Sequence, residues 1–288
     1  MDTELLRTFL EVQKTRHFGK AAENLYLTQS AVSARIRQLE VHLGVPLFSR
    51  HRHNLKLTPG GERLLPHAEA VLTAWERAKQ VAVINETQQA QIAIGATPNV
   101  WDILLHENIN RVFGSTPSLA IRAESLSTEI IPRRLLERSL DLAIILDPPK
   151  VDELSYEMLT SLELVLVGTH IAYQDGKPQI DRWVMMDWGV RFGIELSKQL
   201  TNPPPPILHT NNTRIALDFL LTSGGCVYLP VSLVSQYIES GAIKVFKNAP
   251  VITRHIYAAW HLSSDYLEQI EQLTKQIKGY ICAPETKK

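Results

Sequence analysis

The sequence predicts an α+β protein built from three consecutive parts: a small helical head that ends in a β-hairpin, one long helix, and a two-lobed α/β domain. Apolar residues recur at helical spacing through residues 1–43. The helical pattern restarts at Pro59 and continues to about Thr87. Beyond Gln91, short apolar runs typical of strands alternate with amphipathic helical stretches, which is the order expected of an α/β domain.

Three helices should form the head. The first spans residues 3–14, and a tight turn joins the second, which begins at Phe18, to the third, Gln29–Leu43. Because a helix turns by about 100° per residue, one apolar stripe of the third helix must face the interior. Its members are Val32, Ile36, Leu39 and Leu43. Small Ala21 and Ala22 should let the second helix approach the third closely.

The opposite face of the third helix carries short hydrogen-bonding side chains and long cations, a combination that suits the major groove of DNA. Bulky residues there would hold the helix away from the base edges. Thr28 is the expected N-cap, so the first N–H groups of the helix should face phosphate. The predicted contact residues are Thr28, Gln29, Ser30, Ser33, Ala34, Arg35 and Arg37. The pattern alone also allows an ordinary helical hairpin in a protein core.

A basic hairpin, or wing, should follow the third helix. Gly44 suits the end of that helix, and apolar residues at 47–48 and 55–57 indicate two short strands. The residues between them that we predict to contact the phosphate backbone or the minor groove are Arg50, Arg52 and His53. A run of charge is more often plain solvated surface, but its position beside the third helix favours DNA.

Charge is unevenly distributed along the chain, although its formal net charge is +0. Residues 1–60 contain nine Lys and Arg against five Asp and Glu, whereas residues 91–288 contain 18 against 21. A basic head on a mildly acidic body is expected of a DNA-binding protein with an attached sensor. The excess is small, so tight binding should need more than one head per complex.

The long helix has the spacing of a coiled coil. Thr58 can cap it and Pro59 suits its first position, while Pro66 should lie near the first turn or bend the helix. Apolar residues recur at alternating intervals of four and three, which predicts a dimer contact. The members of this contact are Leu64, Ala68, Val71, Trp75 and Ala78. Packing of the same face against its own chain is the alternative.

The remaining sequence predicts two α/β lobes. In the first, strands at 91–96, 119–123 and 142–146 alternate with helices at 100–113 and 130–138, which demands a parallel sheet. A buried strand at 162–168 should cross into the second lobe, and one at 255–260 should cross back. The second lobe is predicted to hold strands at 183–186, 207–210, 226–229 and 243–246 and helices near 215–221 and 231–238. A helix at 266–281 should close the first lobe.

A long set of residues in the head matches one known family. The set includes Phe9, Ala21–Ala22, Leu25, Gln29–Ser33, Ile36, Leu39–Glu40, Leu43–Gly44, Leu47–Phe48, Arg50, Leu57–Thr58 and Gly61–Glu62. On these residues, positions 1 to about 65 resemble the winged helix-turn-helix of the LysR-type transcriptional regulators, and Thr15–Glu40 is similar to the HdfR branch of that family. A weaker C-terminal resemblance rests on Leu140–Ile144 and Gly224–Pro230.

The resemblance implies a winged helix-turn-helix DNA-binding domain at 1–58, a linker and dimerisation helix at 59–88, and an effector-binding domain at 89–288. The last would have the two-lobed fold of periplasmic-type binding proteins, with lobe I at about 91–162 and 263–288 and lobe II at about 163–262. The implied partners are double-stranded DNA, a small-molecule effector, further copies of the chain in a homodimer and a homotetramer, and RNA polymerase.

Two strand-to-helix turns form the expected effector site, because ligands of open α/β sheets bind beyond the carboxyl ends of the strands. The predicted contacts are Thr97, Pro98 and Asn99 in one lobe, Thr210 and Asn211 in the other, and Asp147 after a further strand. Their hydroxyls, amides and N–H groups suit a carboxylate or another small anion. Each turn alone is more often just a helix cap, and Asp147 could simply cap its own turn.

Other functional classes find little support. The sequence contains no P-loop, no dinucleotide-binding glycine pattern, no HExxH and no nucleophile elbow, so we expect neither an enzyme nor a bound cofactor or metal. A thiol-based redox regulator using Cys226 and Cys282, the only two cysteines, is the alternative function. No secretory signal and no apolar run of membrane length is evident, so we expect a cytoplasmic protein without a membrane partner.

Overall fold

A computed structural model of the protein describes residues 2–51, 54–82, 90–115, 119–169, 172–174, 177–179, 182–200 and 204–282. The chain divides into two compact units, residues 1–84 and 85–288. We call the first unit the head unit and the second the α/β unit, and we describe each by itself.

The head unit contains the predicted helices and hairpin. They are α1 (Thr3–Thr15), α2 (Phe18–Asn24), α3 (Gln29–Leu43), β1 (Phe48–His51) and β2 (Asn54–Leu57). Side-chain caps explain where the helices begin: Asp2 accepts from Glu4 N in α1, and His17 accepts from Lys20 N in α2. The antiparallel β1–β2 pair is the predicted wing. Arg52 and His53, at its tip, lie outside the described residues.

An apolar core joins the three helices to the wing. Val32, Ile36 and Leu39 are buried as predicted, but Leu43 is exposed because α3 ends there and Gly44 turns the chain in the left-handed region. The Phe48 ring lies 5.5 Å from that of Phe9, so the wing strand packs on α1. Glu40 Oε1 accepts a hydrogen bond of 2.8 Å from Leu47 N, which holds the start of the wing against α3.

The long helix, α4 (Pro59–Ala82), follows the wing. Thr58 Oγ1 accepts from Gly61 N at 3.1 Å, so Thr58 caps the helix as predicted. Pro66 lies inside the helix rather than at its first positions. Residues 83–88 of the predicted linker lie outside the described residues.

The first lobe of the α/β unit is built on parallel strands, as predicted. Its elements are β3 (Ala90–Ala96), α5 (Pro98–Val100), a π-helical turn (Trp101–Leu105), α6 (His106–Ser115), β4 (Leu119–Ser125), α7 (Ile131–Leu136) and β5 (Leu142–Ile145). Strand β3 pairs in parallel with β4 on one side and with β5 on the other.

The second lobe follows a long strand, β6 (Leu154–Gly168). Its elements are β7 (Ala172–Gln174), β8 (Lys177–Gln179), β9 (Val184–Met186), α8 (Val190–Gln199), β10 (Leu208–Thr210), α9 (Thr213–Ser223), β11 (Cys226–Pro230), α10 (Val231–Glu239) and β12 (Lys244–Val245). Strands β9 and β10 are parallel, whereas β11 and β12 pair antiparallel with β6. The chain then returns through β13 (Ile252–His261) to α11 (Leu267–Cys282), which packs on α6 and β6.

Two strands connect the lobes, as the sequence predicted, but they are longer than expected. Strand β13 pairs antiparallel with β6 from Ile252↔Leu164 to His261↔Leu154 and also with β5, so the main sheet is mixed rather than purely parallel. The first half of β6, the β7–β8 hairpin and α8 were not predicted. Among the described residues, no helix is long and apolar enough to cross a membrane.

Candidate functional site

The amino end of α3 presents the predicted polar face. Thr28 Oγ1 accepts from Ala31 N at 3.2 Å and lies 3.0 Å from Ser30 Oγ, so Thr28 is the N-cap. Gln29, Ser30, Ala34 and Arg37 are exposed and Ser33 is half-buried. The Arg37 guanidinium donates to Ser33 O at 3.3 Å, a bond within its own helix. A polar surface is therefore exposed at this end of the helix.

Arg35 is placed differently from Arg37. Its Nη1 lies 3.4 Å from Glu4 Oε2 and 3.4 Å from Thr8 Oγ1, both on α1. Arg35 therefore links α3 to α1 as well as lying on the predicted surface. The exposed cation of α3 that makes no bond to α1 is Arg37.

Two exposed residues, one in the turn before α3 and one on the wing, were missing from the predicted set. The Tyr26 side chain is 96% exposed, and its backbone has a φ of 55° in the turn before α3. Lys56 is exposed on β2 opposite Ser49. An aromatic residue in a short polar turn gives no periodic pattern, so only the position of Tyr26 just before the Thr28 cap could have suggested it. Arg50 lies on β1, paired with Leu55.

The coiled-coil face of α4 divides into two parts. Ala68 is 1% exposed and Leu64 is half-buried against the core of the head unit, so these residues pack on their own chain, which was the alternative prediction. Further along, Val71 and Trp75 are 42% and 47% exposed, and Ala78 is exposed too.

An ion pair fastens the second part of α4 to α1. Glu76 pairs with Arg7 of α1, and the Lys79 ammonium lies 2.6 Å from Glu76 Oε2. The hydrogen bond from Lys79 lowers the pKa of Glu76 below its ordinary value of 4.5. The charged side of α4 thus faces α1, and an apolar strip of Val71, Trp75 and Ala78 is left uncovered within the head unit.

A cleft lies between the two lobes of the α/β unit and encloses a cavity of about 30 Å³, which has room for one or two water molecules in this closed arrangement. Lobe I contributes Thr97, Asn99, Thr128, Ile145, Leu146 and Asp147, and lobe II contributes Asp187, Gly189 and Asn211. The cavity thus brings together four predicted residues from both lobes. Pro98 and Thr210 flank it without lining it: Pro98 begins α5, and Thr210 Oγ1 accepts from Asn212 N at 3.1 Å.

Side chains of the chain itself bond N–H groups at the two helix starts beside the cleft, although only α9 has a side-chain N-cap, Asn212. Asn99 Oδ1 accepts from Val100 N at 2.9 Å and from Thr97 Oγ1 at 2.5 Å. Asn212 Oδ1 accepts from Arg214 N and Ile215 N at 3.0 and 3.1 Å. Three of the N–H groups at these two helix starts, those of Val100, Arg214 and Ile215, are therefore engaged by side chains in this structure.

A buried arginine holds Asp147. Arg254, on β13, is 4% exposed, and its Nη2 donates to Asp147 Oδ1 at 2.7 Å while its Nε donates to Trp188 O at 2.9 Å. Within the described part of the chain, Asp147 Oδ2 is buried and has no hydrogen-bond partner. The sequence did not suggest Arg254, because it lies in a strand pattern 107 residues from Asp147.

Hydrogen bonds also join the lobes across the cleft. Asn99 Nδ2 donates to Asp187 O at 2.8 Å, and Thr213 Oγ1 donates to Asp102 Oδ2 at 2.7 Å. Gly189 has a φ of 85°, and a Cβ there would lie 2.2 Å from Asp147 Oδ2, so lobe II backbone covers this carboxylate closely. The cleft is held closed by contacts between the lobes.

The two cysteines lie on different elements. Cys226 begins β11 and is buried, and Cys282 ends α11 with a side chain outside the described part. Burial raises the pKa of the nearby Tyr228 to about 12. This surrounding does not favour a reactive thiolate at Cys226, because oxidation follows exposure and thiolate character.

Both units match known families. Residues 3–62 match the bacterial regulatory helix-turn-helix protein of the lysR family, and residues 85–280 match the LysR substrate binding domain. The chain is 40% identical over 284 residues to the HTH-type transcriptional regulator HdfR of Yersinia pestis (strain Pestoides F), with 96% of each chain covered. HdfR of Yersinia pseudotuberculosis serotype O:1b (strain IP 31758) gives the same identity and coverage.

Solved structures share the fold. CbnR, a LysR family transcriptional regulator, gives a TM-score of 0.68 at 14% identity, covering 96% of this chain and 99% of its own. DarR of Vibrio fischeri in complex with DNA gives 0.56 at 18% identity, with 99% of each chain covered. A full-length OxyR variant from Pseudomonas aeruginosa gives 0.59 at 23% identity, with 96% and 95% covered. With both units matched in chain order, the protein belongs to the LysR family of transcriptional regulators, which bind DNA and small-molecule effectors.

Proposed function

We propose that α3 and the wing form the surface that selects the operator sequence. The observation that carries this proposal is the exposed polar face at the capped amino end of α3, built on a buried apolar stripe. Gln29, Ser30, Ser33 and Arg37 offer hydrogen bonds to base edges. The Thr28-capped helix start and the wing residues Arg50, Arg52 and His53 serve the phosphate backbone and minor groove.

The proposed complex contains two heads. An uncovered strip of Val71, Trp75 and Ala78 on α4 supports self-association through this helix, whereas Ala68 and Leu64 contribute mainly to their own head. Two heads would present two α3 helices to a site with two-fold symmetry and would double the phosphate contacts. Pairs of dimers would form the homotetramer, and contact with RNA polymerase would then convert DNA binding into regulation.

The effector site in this proposal is the cleft between the lobes. A ligand that prefers one arrangement of the lobes shifts the equilibrium by its difference in affinity, without any chemical reaction. The lining of the cleft by residues of both lobes supports this role, because a bound molecule would contact both. We therefore propose a regulator without catalytic activity. The thiol-based alternative has less support, since Cys226 is buried in β11.

Binding of Arg37→Ala to selected and scrambled duplexes tests the DNA-contacting surface. A genome-wide map of bound sites supplies the specific duplex. We expect Arg37→Ala to lose about 1–3 kcal/mol on that duplex and less on a scrambled one, because a base contact is lost. Arg63→Ala, which removes an exposed arginine of α4, is the charge-matched control. Equal loss on both duplexes would make Arg37 a phosphate contact, and no preference of the wild type for any duplex would refute the proposed function.

A further inference from the structure

We propose that the cleft binds a small molecule carrying an ammonium or guanidinium group, held by Asp147 and Asp187. This inference rests on the proposed role of the cleft as the effector site and narrows the chemical class of the effector. It replaces the small anion that the two strand-to-helix turns suggested.

The charged groups of the lining point to a cation. Among the described residues that line the cavity, the charged side chains are the carboxylates of Asp147 and Asp187, one from each lobe. Asp187 is exposed, and its Oδ1 accepts from Gly189 N at 3.0 Å within its own turn, which leaves lone pairs for a ligand. An ammonium or guanidinium placed between the lobes would meet both carboxylates.

The buried arginine beneath the cleft does not offer itself to an anion. Arg254 directs its Nε to Trp188 O and its Nη2 to Asp147 Oδ1 and, at 3.4 Å, to Leu146 O. These acceptors belong to the protein, and the guanidinium is almost fully buried. Arg191 Nε lies 3.6 Å from Asp147 Oδ1 on the exposed side of the same carboxylate.

Both cations therefore approach one oxygen of Asp147 and leave the other unbonded. Its Oδ2 is buried without a hydrogen-bond partner among the described residues, an arrangement that costs free energy until a donor arrives. A cationic ligand supplies such donors, whereas a carboxylate ligand would add repulsion. The side chains of Thr128 and Asn211 remain to bond a neutral polar part of the same molecule, and the Thr97 hydroxyl, which already donates to Asn99, can accept one further hydrogen bond.

Access of a ligand to Asp147 Oδ2 depends on the arrangement of the two lobes. Gly189 of lobe II lies directly over Asp147 Oδ2, as the 2.2 Å distance to a Cβ built there shows. A ligand that reaches the oxygen must displace this turn of lobe II. Binding at Asp147 is thus linked to movement between the lobes, which an effector requires.

Thermal unfolding of the full chain with matched probes tests the class of ligand. Agmatine and putrescine are the cationic probes, succinate and benzoate are the anionic ones, and sodium chloride equalises ionic strength. We expect agmatine or putrescine to raise Tm by linkage and the anions to leave it unchanged. A rise with the anions alone, or none with either cation, would overturn the inference.

Variants locate the site. Asp187→Asn keeps an acceptor for Gly189 N and removes the charge, so we expect Kd for the bound cation to rise about tenfold, as for loss of one charge-assisted hydrogen bond. Asp147→Asn should have a similar effect, but it also leaves Arg254 without its carboxylate, so Asp187→Asn decides if Asp147→Asn unfolds. Asp152→Asn, an exposed residue outside the lining, is the control. An unchanged Kd in Asp187→Asn would refute the assignment.

Specific DNA binding is measured in parallel. This measurement distinguishes an error in the chemical class of the ligand from an error in the proposed role of the cleft as effector site. If an anion binds and alters DNA binding while cations do not, the cleft is an effector site and only the class is wrong. If no probe binds although the protein still prefers its operator, the effector role loses its support and the inference falls with it.

Discussion

The proposed DNA-contacting face of the head unit and the cleft of the α/β unit differ in how their polar groups are bonded. On α3, Gln29, Ser30 and Arg37 are exposed, and the side-chain bonds of Ser30 and Arg37 stay within the helix or its cap. In the cleft, Asn99 and Asp102 are bonded across to the opposite lobe. One surface is open to a partner, whereas the other is largely satisfied by its own chain.

The difference indicates how each surface would work. A preformed polar face can dock on DNA with little rearrangement, so affinity there depends on contacts and on charge. A closed cleft must exchange internal hydrogen bonds for bonds to a ligand, so its occupancy is tied to the lobe arrangement. A surface made only for binding and a surface made for switching can thus be distinguished by where their polar groups are bonded.

The largest expected effect is a loss of stability when the buried ion pair of the cleft is broken. Arg254→Met leaves the Asp147 carboxylate without its buried partner, and we expect the α/β unit to lose about 3–5 kcal/mol in its free energy of unfolding. Urea unfolding measures the change. Asp147→Asn combined with Arg254→Met should recover part of the loss, because no uncompensated charge remains. A loss below about 1 kcal/mol would mean that solvent, rather than Arg254, stabilises Asp147.

The next largest effect is a loss of self-association through the uncovered strip of α4, which is exposed like the α3 face. Trp75→Glu places a charge in the proposed contact between two copies, and we expect loss of about 2 kcal/mol or more of association free energy, as for a central aromatic residue of an interface. Sedimentation should then detect monomers. Arg63→Glu, on an exposed part of α4 outside this strip, is the control. An intact dimer in Trp75→Glu would refute the contact.

The smallest effect sharpens the description of α3 as preformed. Thr28→Ala removes the acceptor for Ala31 N, and we expect the head unit to lose about 1 kcal/mol of stability. Thr28→Ser should keep the cap and the stability. If Thr28→Ala weakens DNA binding well beyond that amount while the fold is retained, the Thr28 hydroxyl also contacts DNA.

The head could be predicted closely because its pattern is local. The α3 bounds follow from Thr28, the apolar stripe and Gly44, all within one stretch of chain. The prediction that Leu43 is buried was wrong, since the periodicity of a helix does not show whether a neighbouring element extends far enough to cover its last residue. The whole α4 seam was assigned to a partner copy, yet Leu64 and Ala68 pack on their own head, because a heptad pattern does not identify what covers it.

The cleft was predictable only in part. Turns after strands pointed to Thr97, Asn99, Asp147 and Asn211, since ligand sites of α/β sheets follow strand ends. Asp187 and Arg254 were missed, because their roles depend on contacts between distant parts of the chain. The first half of β6 was missed although Leu154, Tyr156 and Met158 alternate with polar residues there, a strand pattern whose apolar members Tyr156 and Met158 are exposed, and α8 has few buried residues.

Ala68 and Leu64 anchor the first half of α4 in the core of the head unit. Because Ala68 and Leu64 pack into the same core as Val32, Ile36 and Leu39 of α3, a rotation of α4 relative to α3 would disrupt that core. A rotation of the start of α4 should therefore carry the exposed face of α3 with it. In the proposed dimer, a change in the angle between the two α4 helices would therefore change the distance between the two α3 helices, and with it the operator spacing that both heads can bind at once.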